Sequence, residues 1–220
     1  MKNTVGIVWK FLDSNPCIKQ ELSRGLINAR ALAKYILKQE KLDTSLDAII
    51  SAIRRYEVGK KDDVFNIAAK LIGQTVNLST RSGLAEISLI KDEEVQHLLP
   101  ELFSLIEYVR GEVLRVMQAN ESIRVLVDEK NLESVMELFP KGKTLKVETQ
   151  IAEINMNMHP KMQTTHGILA VIANELAINN INIIEMMSCF PEMLFFVKEK
   201  DVLKAHQVLY HLCHLNGSSG

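Results

Sequence analysis

Apolar and polar residues follow two different periods along this chain, and the change falls near residue 75. Before it the period is helical. Val5, Val8, Trp9 and Leu12 share one helical face, and Leu32, Ala33, Ile36 and Leu37 recur at three-four spacing. Leu46, Ile49, Ile50, Ile53 and Tyr56 predict another buried stripe. Local signals set the ends. Asn15 before Pro16 is a helix start with proline at the first helical position, and Gly25 is a stop. Asn28 can cap the next helix, and Thr44 or Ser45 the one after. A polar break at 59–63 precedes a helical Val64 to Ile72.

From Thr75 the alternation becomes that of strands: Val76 and Leu78, then Ala85, Ile87 and Leu89. A helix from about Glu93 to Tyr108 follows, which Pro100 must kink or divide because it lacks the backbone donor. Val113 to Gln118 and Ile123 to Val127 read as strands around Asn120. Lys130 to Phe139 reads as helix and Thr144 to Val147 as extended chain. The pattern then recurs. Shifted by 70 positions, Arg110–Phe139 falls on Asn180–Leu209 without a gap: Met117 meets Met187, and Val127-Asp128-Glu129-Lys130 meets Val197-Lys198-Glu199-Lys200. A repeat of that length is too long for a solenoid unit and suits two copies of a small split-βαβ domain.

The second copy opens with a strand, Gln150–His159, that alternates Ile154, Met156 and Met158 with Glu153, Asn155 and Asn157. A loop from Pro160 to Thr165 leads into the helix beginning His166-Gly167-Ile168, and Asn180-Ile181-Asn182-Ile183 turns that helix into a strand. These features resemble the ACT domains at the regulatory end of aspartokinases. Gly167 matches the family glycine before the helix, and Ile181-Asn182-Ile183 matches the family's Ile-Asn-Ile stretch. His166 stands where proline is usual, and Asn180 where glycine is; asparagine tolerates the left-handed conformation the turn needs. The resemblance covers about 65 residues directly and, through the repeat, Leu84–Val147 as well. It implies an α+β chain: an N-terminal helical module (1–72) followed by two ferredoxin-like βαββαβ (ACT-like) domains packed together. These are a degenerate copy (75–148) and a ligand-binding copy (149–215), before a flexible tail (216–220).

The resemblance also implies a small-molecule ligand, an amino acid. The first amides of a helix lack internal partners and sit at its positive end, where a carboxylate is stabilised. Gln163, Thr164, Thr165, His166 and Gly167 would present such amides, and Asn182 would donate and accept beside them. The competing reading is a plain helix cap through Thr164 or Thr165. In the first copy the matching stretch, Ile90-Lys91-Asp92-Glu93-Glu94, is acidic and lacks glycine, so that copy is expected to be a structural partner. One more structural expectation follows from chain length. Little chain remains after the last helix to supply a fourth strand, so Thr75–Ser79, or a partner subunit, should fill that open edge.

Charge divides the chain. Residues 1–62 carry a balance of +5 and the remainder −6, within a net charge of −1. The leading helices have a helix-turn-helix-like layout. In it, Asn28–Lys38 takes the second position and Ser45–Tyr56 is the recognition candidate, with Arg54, Arg55, Lys60 and Lys61 as candidate DNA contacts. The alternative is a dimerisation or docking module. No apolar run reaches the length of a membrane span, Met1–Leu12 lacks a secretory cleavage site, and a cytoplasmic location is expected. Cys17, Cys189 and Cys213 lack metal-site spacing and read as reduced thiols, Cys17 and Cys189 as small buried residues. His206, His211 and His214 read as exposed residues near the end of the last helix, with no completed metal set. Scattered glycines exclude a phosphate-cradling loop. No cofactor and no catalytic constellation is legible. The expected protein is a non-catalytic, ligand-sensing homo-oligomer, a dimer, that regulates transcription or else serves as the regulatory partner subunit of a separate amino-acid-metabolism enzyme.

Overall fold

The computed structural model describes residues 4–23, 25–56, 64–75 and 77–215. The chain divides into two compact units, Met1–Val64 and Phe65–Gly220.

The first unit contains α1 (Thr4–Asp13), α2 (Pro16–Ser23), α3 (Ala29–Gln39) and α4 (Leu46–Arg54). Its core is Val8, Leu12, Leu32, Ala33, Ile36, Ile49, Ala52 and Ile53, the stripes expected from periodicity, with Leu46, Ile50 and Tyr56 partly buried around it. Asn28 Oδ1 accepts from the amides of Arg30 and Ala31, and the Ser45 side chain accepts from Ala48 N. Gly25, at φ +71, closes α2: its amide bonds Leu22 O while Leu26 N reaches back to Glu21 O, a Schellman arrangement. Asn15 acts differently from a simple cap, since its Nδ2 donates to Phe11 O at the end of α1. The thiol of Cys17 is exposed, not buried.

From its second residue on, α5 (Val64–Ile72) belongs to the second unit, which continues as β1 (Asn77–Ile90), α6 (Glu93–Ser104), β2 (Leu114–Gln118), β3 (Ser122–Asp128) and α7 (Leu132–Leu138). It then runs through β4 (Thr144–Asn157), α8 (Ile168–Ile178), β5 (Glu185–Cys189), β6 (Glu192–Lys198) and α9 (Val202–Leu215). Although the sequence groups it with the leading helices, α5 buries Ala68, Leu71 and Ile72 in the core of this unit. Pro100 lies inside a continuous α6, which ends at Ser104 rather than near Tyr108; a short 3-10 turn holds Tyr108–Arg110.

Among the described residues, the strands form one antiparallel sheet in the order β2-β3-β1-β4-β6-β5. Two long strands tie it together. The C-terminal half of β1 pairs with β3 and with the start of β4, Ile87 opposite Val147. Its N-terminal half pairs with the end of β4, Asn77 opposite Asn157 and Arg81 opposite Glu153. Asn77–Arg81 thus supplies the edge strand expected from that stretch; Val76 lies outside the described residues. The extended segments Thr144–Val147 and Gln150–His159, separate in the sequence reading, are one strand. Register shifts flank Gly83 (φ +72) on β1 and Gln150 (φ +57) on β4, so both strands bulge where the two halves meet.

Helices cover one face of each half. Ile87, Leu89, Val95, Leu102, Val125 and Val135 form the core beneath α6 and α7. Ile154, Met156, Ile172, Leu176, Phe195 and Leu209 form the core beneath α8 and α9. The register of the repeat is visible: β3 and β6, the 3-10 turns after them, and the starts of α7 and α9 are each 70 positions apart. The uncovered faces are not free. Leu84, Leu126, Ile151, Leu194 and Phe196 form a separate buried cluster. Across it Arg115 on β2 reaches Glu153 on β4, and Arg124 on β3 reaches Glu185 on β5. Strands three and four places apart in a flat sheet lie about 14 and 19 Å from each other. The sheet therefore doubles back, and the two uncovered faces pack on one another.

Candidate functional site

The loop between β4 and α8 builds a cavity. After Asn157 the chain buries Met158, whose amide donates to Pro191 O at 2.7 Å. A 3-10 turn, Pro160–Thr164, opens with Lys161 N donating to His159 Nδ1 at 3.2 Å and buries Met162. Thr165 Oγ1 donates to Lys161 O at 2.7 Å, and Thr164 Oγ1 to the same carbonyl at 3.4 Å. The two hydroxyls therefore tie the loop to itself, and neither caps α8. Gly167 is the residue before the helix, with φ +87, a conformation that an L side chain strains. No side chain caps α8 among the described residues, and its first closing bond is Val171 N to Gly167 O, which leaves the amides of Ile168, Leu169 and Ala170 ahead of the hydrogen-bonded ladder.

Those three residues line a cavity of about 500 Å³ together with Met158, Met162, Gln163, Thr165, Gly167, Ser188 and Met193. Methionines form its buried floor; Gln163, Thr165 and Ser188 supply neutral donors and acceptors at its rim. No charged side chain of the described residues lines it. Such a site can receive a carboxylate at the helix start and an uncharged apolar group against the methionines.

The corresponding place in the first half is already occupied by the chain's own carboxylate. Asp92 Oδ1 accepts from Val95 N at 2.9 Å, capping α6, and Oδ2 meets Lys143 Nζ at 2.5 Å. Lys143 and the Val95 amide hold the Asp92 carboxyl below its usual range. An external anion would find that helix start filled.

Of the loop residues expected at the site, Gln163, Thr165 and Gly167 line the cavity; Thr164 and His166 are exposed beside it. Asn182 is displaced from it. It is exposed and follows the C-terminal end of α8, so the 11-residue helix, about 16 Å long, separates it from Gly167. Asn180 does take the left-handed turn, at φ +58. The sequence reading missed Met158, Met162, Met193 and Ser188. Strand direction was the available signal: β5 runs parallel to β4, so its end, not its beginning, lies beside the loop. Cys189 next to Ser188 is exposed, contrary to expectation, and Cys213 is buried.

In the first unit Arg54 and Arg55 are both exposed, and Arg55 Nε donates to Ser51 O at 3.2 Å. Arg54 lines a cleft of about 540 Å³ with Asn28, Arg30, Asp47 and Ser51. Lys60 and Lys61 lie outside the described residues. His211 and His214 are exposed on α9, where Tyr210 stacks on His214 at 3.9 Å. No helix among the described residues is long and apolar enough to cross a membrane.

No family model matches the chain, and no curated protein does. Solved structures do. The regulatory subunit of aspartate kinase from Thermus flavus is similar over 63% of this chain and 97% of that one, at 12% identity and a TM-score of 0.51. Aspartate kinase from Synechocystis is similar over 66% of this chain, at 16% identity and 0.53; aspartate kinase from Clostridium acetobutylicum over 64%, at 15% and 0.50. The fold is ACT-like. The match spans 28% and 34% of those two kinases.

Proposed function

We propose that this chain is a non-catalytic regulatory protein that senses an amino acid through two ACT-like domains of ferredoxin-like topology, 75–148 and 149–215. The carrying observation is the uncharged cavity at the uncapped start of α8. The ligand carboxylate takes the Ile168–Ala170 amides, the ammonium meets the rim oxygens of Gln163, Thr165 and Ser188, and the side chain lies on Met158, Met162 and Met193. An amino acid with a charged side chain would leave that charge unpaired against methionine, so the preferred ligands are apolar. The first half, self-capped by Asp92, serves as structural partner. The working form is a dimer in the cytoplasm.

Thermal unfolding of the full chain against each of the twenty amino acids tests this. A binder raises the transition by mass action, by about 2.7 kcal/mol of stability at a hundred times its Kd. A response to none of them sinks the reading.

Two destinations for the signal are open to experiment. The leading unit acts on DNA through Arg54, Arg55, Lys60 and Lys61, joined on α3 by exposed Arg30, Lys34 and Lys38, which no carboxylate of the described residues pairs. Alternatively the chain is the regulatory partner of a separate amino-acid-metabolism enzyme; the similarity to nearly all of a kinase regulatory subunit favours that reading. Specific retention of DNA by the full chain selects the first, and co-purification with one metabolic enzyme the second.

A further inference from the structure

Where the two uncovered sheet faces meet, two carboxylates share one cation. Glu86 on β1 has a side chain only 4% exposed. Its Oε1 accepts from Arg124 Nη1 at 3.2 Å and from Ser88 Oγ at 3.4 Å, while its Oε2 is buried with no hydrogen-bond partner among the described residues. The same Arg124 Nη1 lies 2.5 Å from Glu185 Oε2 on β5. Opposite Glu86 on β4 stands Glu148, itself held by Lys146 and, at 3.8 Å, by Lys198. Arg115 is engaged by Glu153 on the flank. One guanidinium thus answers two carboxylates that belong to different halves of the sheet.

We propose that Glu86, Arg124 and Glu185 form a proton-operated joint between the two half-sheets, linked to occupancy of the cavity at the start of α8. With Glu86 ionised, it and Glu185 compete for Arg124. When Glu86 takes a proton from solvent, Arg124 is left to Glu185 alone. Glu185 lies three residues before Ser188, and Ser188 rims the cavity. A change in the pull on Glu185 therefore acts along a single short strand to the ligand loop. Burial, and the neighbouring charges of Glu185 and Glu148, push the Glu86 carboxyl above its usual range; Arg124 opposes them. The joint itself stands on the contacts between the half-sheets. Its link to the cavity rests on the reading of that cavity as an amino-acid site, and linkage makes it reciprocal: whatever a proton does to ligand affinity, the ligand does to proton affinity.

The full chain and its Glu86→Gln variant are melted between about pH 8 and about pH 5. Gln keeps the shape without the charge. The variant is expected to melt about 2–4 °C above the wild type at the alkaline end, with the gap closing as pH falls and wild-type Glu86 becomes neutral. A variant that melts at or below the wild type throughout overturns the joint. The Glu86 carboxyl carbon, followed by NMR in the unaltered chain, should titrate above the ordinary glutamate value; a midpoint at or below it overturns the joint without any variant. With L-leucine as probe, wild-type affinity should change about threefold or more through that midpoint and stay level in Glu86→Gln. The same pH dependence in both proteins rejects the link. Absence of binding by any amino acid rejects the cavity reading and the link with it, while the melts and the titration still decide the joint.

Discussion

Arg115 Nε lies 3.2 Å from Glu153 Oε2 although their strands, β2 and β4, are not neighbours in the sheet. The contact exists because the sheet folds over the Leu84, Leu126, Ile151, Leu194 and Phe196 cluster and brings opposite charges together at its margin. Glu153 is 5% exposed and Arg115 31%. Arg115→Met strands a buried carboxylate. The expected loss is about 2–3 kcal/mol, below the full range for a broken buried pair because the arginine reaches water. Arg115→Met with Glu153→Leu should recover most of it. Urea unfolding of both variants checks this, and a double variant as unstable as the single one contradicts it.

That contact was invisible in the sequence, where strand periodicity places Glu153 on a polar face with no indication of what the face meets. Periodicity was good at what depends on near neighbours. The helical stripes, the caps at Asn28 and Ser45, the stop at Gly25 and the ungapped repeat all reappear in the structure, because each is decided within a turn or two of chain. An edge strand from Thr75–Ser79 or a partner subunit followed from counting the strands a domain needs, and Asn77–Arg81 fills that place. What failed depended on direction and distance. Asn182 was placed at the ligand loop by its motif, but the chain must run the length of β5 to come back to that loop, and it is Ser188 that arrives. The merger of Thr144–Val147 with Gln150–His159 was hidden because Gln150 interrupts the alternation with a positive φ, which few non-glycine residues adopt.

The contacts of Glu112 set the sign of a pH dependence. Its Oε1 meets Lys130 Nζ at 2.5 Å, and its Oε2 accepts from Glu107 N and Asn131 Nδ2. Lys130 first, then those donors, hold its carboxyl down to about 2, against 4.5 ordinarily. A depressed folded-state value means the contribution is complete above the ordinary value and is lost as pH falls through that interval. Glu112→Gln should therefore be less stable than wild type at neutral pH, and the two should converge as pH drops toward 2. Thermal melts over that range decide it; a gap that does not narrow would remove the assigned cause.

Gly167 separates backbone strain from binding. At φ +87, Gly167→Ala should lose about 1–2 kcal/mol of stability. Gly142, at φ +93 with nothing within 4 Å of an added Cβ, lies in the turn before β4, away from the cavity, and Gly142→Ala should lose a similar amount. The two should differ in ligand response. Gly167→Ala moves the amides that face the cavity and should abolish the stabilisation by the best amino acid, whereas Gly142→Ala should retain it. Calorimetric titration of both variants measures this. Equal retention would detach ligand binding from the start of α8.

The DNA reading of the leading unit makes a quantitative claim about salt. Each phosphate neutralised by a cation releases counterions, so the slope of log K against log salt is about −0.9 per contact. Arg54 and Arg55 are exposed, and neither is in an ion pair with a described residue; Arg55 Nε is bonded to Ser51 O, and both side chains can supply such contacts through their terminal nitrogens. Replacing both with glutamine should reduce the magnitude of the slope by about 2 for a generic duplex, while leaving the Ile49, Ala52 and Ile53 core intact. Fluorescence anisotropy of a labelled duplex across a salt series gives the slope directly. An unchanged slope would clear these two residues of phosphate contact. Absence of binding even at low salt would turn attention to the enzyme-partner reading, in which the same exposed arginines face an acidic protein surface and their loss weakens co-purification of the enzyme instead.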